Sequence, residues 1–160
     1  MKKTYPFGWV IFCDDVRMES NGKRIYIGTY SNVMYVNAGF PVTLPKLVIT
    51  ITCVNSIESP REIQEILVYV PGDPPDVPSM KIDISAHESA AREKSTRKNA
   101  LGEPATERIM AMDLLASPLE LKEPGKIRVI VLADGEEIEI GKLLVVGAPE
   151  AGSVAEPDTQ

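Results

Sequence analysis

His87 is the single histidine of the chain and the residue best suited to acid–base chemistry near neutral pH. Glu88 follows it, and Ser85 and Ser89 lie close by, so a serine, a histidine and a carboxylate are available for nucleophilic catalysis. No serine lies in a nucleophile-elbow sequence, and His87 stands at the outward end of a strand-like segment. The sequence therefore favours a solvent-facing His87, with a hydrolase centred on it as an alternative.

Carboxylates near predicted turns are the second group that could do chemistry, because Ca²⁺ binds carboxylate oxygens. They are Asp14, Asp15, Asp73, Asp76 and Asp83. Asp73 and Asp76, in the proline-rich connection 71–78, are the candidate metal ligands. The dense acidic spacing of a calcium loop is missing, so solvated loop acids are the simpler interpretation. No other cofactor is predicted.

Aromatic residues form the third group. Tyr26 and Tyr35 are predicted to be exposed and are the candidate ligand-binding residues, whereas Trp9 is expected in the core. Exposed rings on a β-sandwich can stack on sugars or contribute to a protein interface.

Composition narrows the possible partners. The chain has 160 residues, of which 44% are hydrophobic and 25% charged, and its formal charge is −6. This sign disfavours nucleic acid and anionic membranes as partners. The basic run of Arg92, Lys94, Arg97 and Lys98 has no interleaved aromatics and is interpreted as solvated surface. No apolar run approaches the roughly 18 residues that span a bilayer.

The N-terminus and the cysteines indicate a cytoplasmic protein. The apolar stretch 7–13 is short, ends at two aspartates and has Phe12 where signal processing needs a small residue. It is therefore interpreted as a first strand. Cys13 and Cys53 are expected as reduced, buried thiols on core faces, where they could be neighbours.

The stretch 44–54 is predicted to be the central strand. Side chains alternate across a strand, so Leu47, Ile49 and Ile51 share one face with Cys53. The opposite face is β-branched throughout, from Val48 to Val54.

Two tight hairpins are predicted, with type I′ turns at Asn21-Gly22 and Asp134-Gly135. Counting outward from the first turn pairs Met18 with Ile25 and Val16 with Ile27 on the core face. A β-bulge at 14–15 would bring Trp9, Ile11 and Cys13 onto that face as well. Counting from the second turn pairs Val131 with Ile138 and Val129 with Ile140.

Further strands are predicted at 33–36, 63–70, 81–87, 107–115 and 143–146, where a strand is preferred to a helix for 107–115. The stretch 87–104 is open between a short surface helix and a loop, and the tail 148–160 is expected to be disordered. The sequence thus predicts an all-β fold of about eight strands, an antiparallel β-sandwich of immunoglobulin-like or jelly-roll-like type. It forms a single domain over 1–147.

Three segments carry a resemblance. FCDDVRMESNGKRIYIGTY, FPVTLPKL and PLELKEPGKIRVIVLADGEE resemble an uncharacterised family of small bacterial and phage-associated proteins. The resemblance implies a bacterial-type cytosolic domain and brings no assigned activity and no site residues.

These observations lead to three functional hypotheses. The first is a non-enzymatic module that acts through a protein partner or forms a homo-oligomer, because no catalytic constellation stands out. The second is a module that binds carbohydrate or calcium through exposed tyrosines and end-loop acids. The third is the hydrolase centred on His87.

Overall fold

The computed structural model describes residues 4–85, 98 and 101–147, and the elements assigned there are β-strands. The strands are β1 (Phe7–Met18), β2 (Arg24–Tyr30), β3 (Val33–Val36), β4 (Val42–Leu44), β5 (Leu47–Ser56), β6 (Ile63–Tyr69), β7 (Met80–Asp83), β8 (Glu107–Ala116), β9 (Leu119–Leu121), β10 (Gly125–Ala133) and β11 (Glu136–Gly147). Within these residues, no helix has the length and apolar character needed to cross a membrane.

Two large sheets and one small sheet contain these strands. The four-stranded sheet has the order β2-β1-β5-β8, the five-stranded sheet the order β3-β11-β10-β6-β7, and β4 pairs with β9. One hydrophobic core joins the large sheets, with Ile49 and Ile51 from the first and Val129 and Val131 from the second. The predicted all-β sandwich is confirmed, although β3 pairs parallel with β11.

Strand β5 lies at the centre of the four-stranded sheet, as predicted from its sequence. It pairs antiparallel with β1 on one side and with β8 on the other. All of its residues are buried, and Ile49 and Ile51 have no exposed surface. A strand with apolar or β-branched side chains on both faces is suited to this position, because neighbouring strands shield it from both sides.

The turn of the β10–β11 hairpin is confirmed. Asp134 and Gly135 both have positive φ, at 51° and 77°, as a type I′ turn requires. Val131 lies opposite Ile138, as predicted.

Further along the same hairpin, the predicted pairing of Val129 with Ile140 is wrong. The register shifts between Val129 and Ile130, so Val129 lies opposite Gly141. A Cβ at Gly141 would lie 2.5 Å from Cγ2 of Val10, so the glycine is what allows β1 to pack closely against β11 at this bulge.

The register predicted for the β1–β2 hairpin is wrong by one residue. The amide of Glu19 donates to the carbonyl of Lys23 at 2.8 Å, and the amide of Gly22 donates to the carbonyl of Glu19 at 2.9 Å. The loop between Glu19 and Lys23 therefore has one residue more than a type I′ turn, with Gly22 at a φ of 83°.

This longer loop shifts β2 by one residue against β1. Met18 lies opposite Arg24, and Val16 opposite Tyr26. Met18, Ile25 and Ile27, all predicted for the core, are exposed.

The predicted bulge at 14–15 is also wrong. The register of β1 runs without a shift against both β2 and β5. Val10 and Phe12 pack on the core, so Trp9 points the other way and is 47% exposed. No bulge is needed to keep Asp14 out of the core, because its carboxylate lies at an exposed position and accepts a hydrogen bond from the Tyr30 hydroxyl at 2.7 Å.

The two cysteines are buried, as predicted, and no disulfide joins them. Cys53 belongs to the core, but the prediction of a core face is wrong for Cys13, and the two are not neighbours. Cys13 of β1 lies opposite Val48 of β5. Cys53 lies near the other end of β5, opposite Gly8 of β1. The five steps along the strand from Val48 to Cys53 span about 17 Å, which is too far for a disulfide.

Among the remaining predictions, the strand preferred for 107–115 is confirmed as β8. The small sheet of β4 and β9 was not predicted, because strands of three residues leave almost no periodic signal. The predicted helix or loop at 87–104 lies outside the described residues except at 98 and 101–104. The tail 148–160 lies outside them entirely.

Candidate functional site

The outer face of the four-stranded sheet is unusually free of charge. The pairings of β1, β5 and β8 define rows of outward side chains across this sheet. We call these residues the apolar face: Phe7, Val54 and Ile109; Trp9, Thr52 and Ala111; Ile11, Thr50 and Asp113; Cys13, Val48 and Leu115. Asp113 is the one carboxylate or cation in these rows.

Exposure differs between the columns of the apolar face. The β5 residues in its middle are buried, whereas the flanking columns remain open. Trp9 is 47% exposed, Ile109 64% and Leu115 59%. Scattered apolar side chains are normal on a protein surface, whereas several large ones on one sheet face are typical of an interaction site.

Polar contacts close the apolar face at one end. The Tyr5 hydroxyl donates to a carboxylate oxygen of Glu107 at 2.5 Å, across the end of β5. The Tyr5 ring packs on Phe7 with the centroids 5.6 Å apart. This end therefore has a polar margin beside an apolar interior.

The opposite end is closed by charged groups. Lys46 donates from Nζ to Asp15 at 2.7 Å, and Arg24 Nη2 lies 3.4 Å from Asp113. Asp113 also accepts a hydrogen bond from the Thr50 hydroxyl at 2.7 Å. The hydrogen bond from Lys46 lowers the pKa of Asp15 below its ordinary value, so this carboxylate is charged at neutral pH.

The end of the β1–β2 hairpin lies against this charged margin. A cavity of about 220 Å³ lies here. It is lined by hairpin residues and by β5, β8 and the turn before β5: Asp15, Val16, Met18, Lys46, Val48, Asp113 and Leu115. The hairpin bends at Gly28, whose φ is 66° and whose missing Cβ would lie 2.0 Å from Oδ2 of Asp14.

Cys13 belongs to the apolar face but offers no reactive thiol. Its side chain is fully buried, and burial, followed by the charge of Asp113, raises the pKa of the thiol. Because the nucleophile is the thiolate, a raised pKa makes this cysteine inert. Burial and Asp14 likewise raise the pKa of Tyr30 to about 12, which keeps its hydroxyl protonated as a donor.

The outer face of the five-stranded sheet has a different character. Arg128 lies 3.0 Å from Glu139 and 5.4 Å from the centre of the Tyr69 ring, and Lys81 lies 2.6 Å from Glu65. We call this surface the charged face. Its alternation of both signs is that of a sheet surface in water.

The predicted aromatic site is not assembled as one surface. Tyr26 is half-buried on β2, in the four-stranded sheet. Tyr35 is exposed on β3, at the edge of the five-stranded sheet. Their ligand-binding role stays a prediction.

The predicted metal ligands lie in the connection between β6 and β7. Asp73 accepts a hydrogen bond from Nζ of Lys122 at 2.6 Å, which lowers the pKa of Asp73 and raises that of Lys122. Asp76 is exposed. The described part of the chain contains no group of three His, Cys, Asp or Glu side chains that could hold a metal ion. A calcium site at these residues stays a prediction.

The predicted catalytic residues His87 and Glu88 lie outside the described residues, as does Ser89. Ser85 is described, and its hydroxyl donates to Asp83 at 2.6 Å. The hydrolase hypothesis therefore stays a prediction.

Sequence reasoning missed Trp9, Ile109 and Leu115 as members of one surface. A signal was present, because the strand over 107–115 has apolar side chains on both of its faces. Such a strand at a sheet edge necessarily presents one apolar face outward unless something covers it.

Comparisons with curated proteins and with solved structures gave no match. One family model matches the chain over residues 8–146, from the first strand to the last. The match agrees with the uncharacterised family that the sequence resembles, while a bacterial or phage origin stays a prediction. On this match, the chain belongs to the family of unknown function DUF6941.

Proposed function

We propose that this protein is a non-enzymatic interaction module that associates with a second copy of itself through the apolar face. One observation carries the proposal: Trp9, Ile109 and Leu115 lie exposed on the apolar face, whose rows contain Asp113 as their one charged residue and have further charges at their two ends. Removing such surface from water is favourable by roughly 25 cal/mol per Å², which is the main driving force of protein association.

The arrangement of this surface supports a protein rather than a small molecule as partner. Small ligands bind in concave sites with convergent polar groups. The apolar face is instead a sheet surface with an apolar interior and polar contacts at both ends, which is the anatomy of a protein interface.

The near absence of charge on the apolar face supports a second copy as the partner. Two chains of formal charge −6 repel one another. The apolar face adds little to that repulsion, because its one carboxylate, Asp113, lies 3.4 Å from the guanidinium of Arg24. An uncharged surface is also complementary to itself, as a two-fold interface requires.

Light scattering after size exclusion, over a wide range of protein concentration, tests the proposal with a matched pair of variants. Trp9→Lys places a charge in the apolar face, and Tyr35→Lys places the same charge at an exposed aromatic of the other sheet. Both make the net charge one unit less negative, so a lost association cannot come from added repulsion.

We expect concentration-dependent association of the natural chain, a dissociation constant for the face-to-face contact at least tenfold higher in Trp9→Lys, and no change in Tyr35→Lys. A chain that stays monomeric throughout would contradict the proposal. Equal effects of the two variants would contradict the assignment to this face.

A further inference from the structure

Strand β8 forms an edge of the four-stranded sheet, and it differs from the other sheet edges in the described part of the chain. It has 10 residues, without proline or glycine, and pairs with β5 throughout without a register shift. Edges β3 and β7 have 4 residues each, and edge β2 contains the positive-φ Gly28. Short length, bends and charges are the usual means by which proteins prevent edge strands from pairing, and β8 lacks the first two.

The charged residues of β8 protect it only weakly against pairing with another strand. Between Ile109 and Ala116 the one charged residue is Asp113. Its carboxylate is engaged within the chain, by Thr50 at 2.7 Å and by Arg24 at 3.4 Å. Apart from Glu107 and Arg108 at its start, β8 is thus an uninterrupted and largely apolar edge, which is a template for another strand.

The order of side chains in β8 indicates which strand would pair with it. About Met112 the sequence is nearly symmetric in chemistry: Ile109 mirrors Leu115, and Met110 mirrors Leu114. Ile109 and Leu115 are exposed outward, at 64% and 59%, whereas Met110, Met112 and Leu114 are partly buried against the core. The mirrored residues therefore match in both type and face.

We infer that β8 pairs antiparallel with β8 of a second copy, with Met112 on the two-fold axis. Ile109 then lies opposite the partner's Leu115 on the outer face, and Met110 lies opposite the partner's Leu114 on the inner face. Apolar cross-strand pairs of this kind stabilise a sheet, and Asp113 faces Ala111 rather than another carboxylate. The two four-stranded sheets become one, and their apolar faces become continuous.

This contact is distinct from the face-to-face contact proposed above. Trp9 lies on β1, which is separated from β8 by β5. Trp9→Lys should therefore weaken the face contact and leave β8 pairing intact.

Position-specific disulfide formation tests the register. Residues directly opposite in an antiparallel pair have Cα atoms about 4.5–5.5 Å apart, which suits a disulfide. The natural Cys13 and Cys53 are buried and do not interfere. We would compare Met112→Cys alone, Ile109→Cys alone, Leu115→Cys alone and an equimolar mixture of the last two, under mild oxidation by a glutathione buffer.

We expect Met112→Cys to form a covalent dimer. We expect the mixture to form a heterodimer in at least tenfold greater yield than either exposed single variant forms a homodimer, as resolved by mass spectrometry. The pattern should persist in the Trp9→Lys background. If Met112→Cys packs poorly, the Ile109→Cys and Leu115→Cys mixture decides alone, since both sites are exposed.

Homodimers of Ile109→Cys or Leu115→Cys in yields equal to the heterodimer would overturn the inferred register. So would a mixture that gives no heterodimer, whatever the light scattering shows. If light scattering shows association that Trp9→Lys weakens while no heterodimer forms, the edge inference fails and the proposed function stands. If the heterodimer forms but Trp9→Lys has no effect on association, the face proposal fails and the edge inference stands.

Discussion

The two outer faces of this sandwich are both β-sheet surfaces, but their side chains differ in character. On the charged face, Arg128 and Glu139 form an ion pair, as do Lys81 and Glu65. On the apolar face, the exposed positions include Trp9, Ile109 and Leu115. None of these three residues belongs to the core cluster that joins the two sheets. The apolar face is therefore available for contacts outside the chain.

The largest difference in the free energy of unfolding is expected between substitutions on the inner side and on the outer side of the four-stranded sheet. Ile51→Ala removes a fully buried side chain and should lower the free energy of unfolding by about 2–5 kcal/mol. Ile109→Ala, on the outer side, should change it by less than about 0.5 kcal/mol in dilute protein. Urea unfolding measures both, and similar losses would mean that the outer side is also part of the core.

A smaller effect is expected at the bend that brings the hairpin against the apolar face. Gly28→Ala and Gly22→Ala both place alanine at positive φ, with a strain of about 1–2 kcal/mol. Gly28→Ala should be the more destabilising, because its Cβ would lie 2.0 Å from Oδ2 of Asp14, while Gly22 has open space. Thermal unfolding provides the comparison. The additional destabilisation by Gly28→Ala relative to Gly22→Ala should be smaller in an Asp14→Ser background. If it is unchanged there, contact with Asp14 is not its cause.

On the charged face, single ion pairs should matter little. Arg128→Ala removes the contacts to Glu139 and Tyr69 and should lower the free energy of unfolding by about 0.2–1 kcal/mol. Lys126→Ala, on the same strand and face, is the control for loss of a positive charge. Neither substitution should alter self-association in light scattering. A loss of association in either variant would indicate that the interface lies on the five-stranded sheet instead.

The smallest effect concerns the charged margin of the apolar face. Because Lys46 lowers the pKa of Asp15 below 3.8, the pair stabilises the fold above that pH, and this stabilisation is lost as the pH falls through the folded-state pKa. Lys46→Met should therefore lower the urea midpoint slightly at pH 7 and have less effect at pH 3. Lys126→Met is the control. A Lys46→Met deficit that grows on acidification would contradict the assigned pair.

Much of the fold could be predicted from local patterns. The alternation over 44–54 identified the central strand, and Asp134-Gly135 identified the second hairpin with its turn type. Both are short-range signals, in which a few neighbouring residues determine the backbone.

The first hairpin shows where such reasoning stops. Asn21-Gly22 fits a two-residue turn and also fits the three-residue loop that the chain adopts, and this one-residue difference changes which residues of β1 and β2 lie opposite one another. The assignment of Trp9 to the core depended instead on a bulge at 14–15, which the register of β1 excludes. The sequence of 107–115 indicated an outward apolar surface on β8, but the contribution of β1 depends on which of its faces is directed to the core, and that is decided by packing between residues distant in sequence.

Trp9 provides the most direct test of the apolar face, because it is the single tryptophan of the chain and is 47% exposed. Acrylamide quenching of its fluorescence should be measured from dilute to concentrated protein, with Tyr35→Lys as the reference variant. The account predicts that quenching weakens and the emission shifts to shorter wavelength as the protein concentration rises. Quenching that is independent of concentration, in a protein that light scattering shows to be associated, would contradict it.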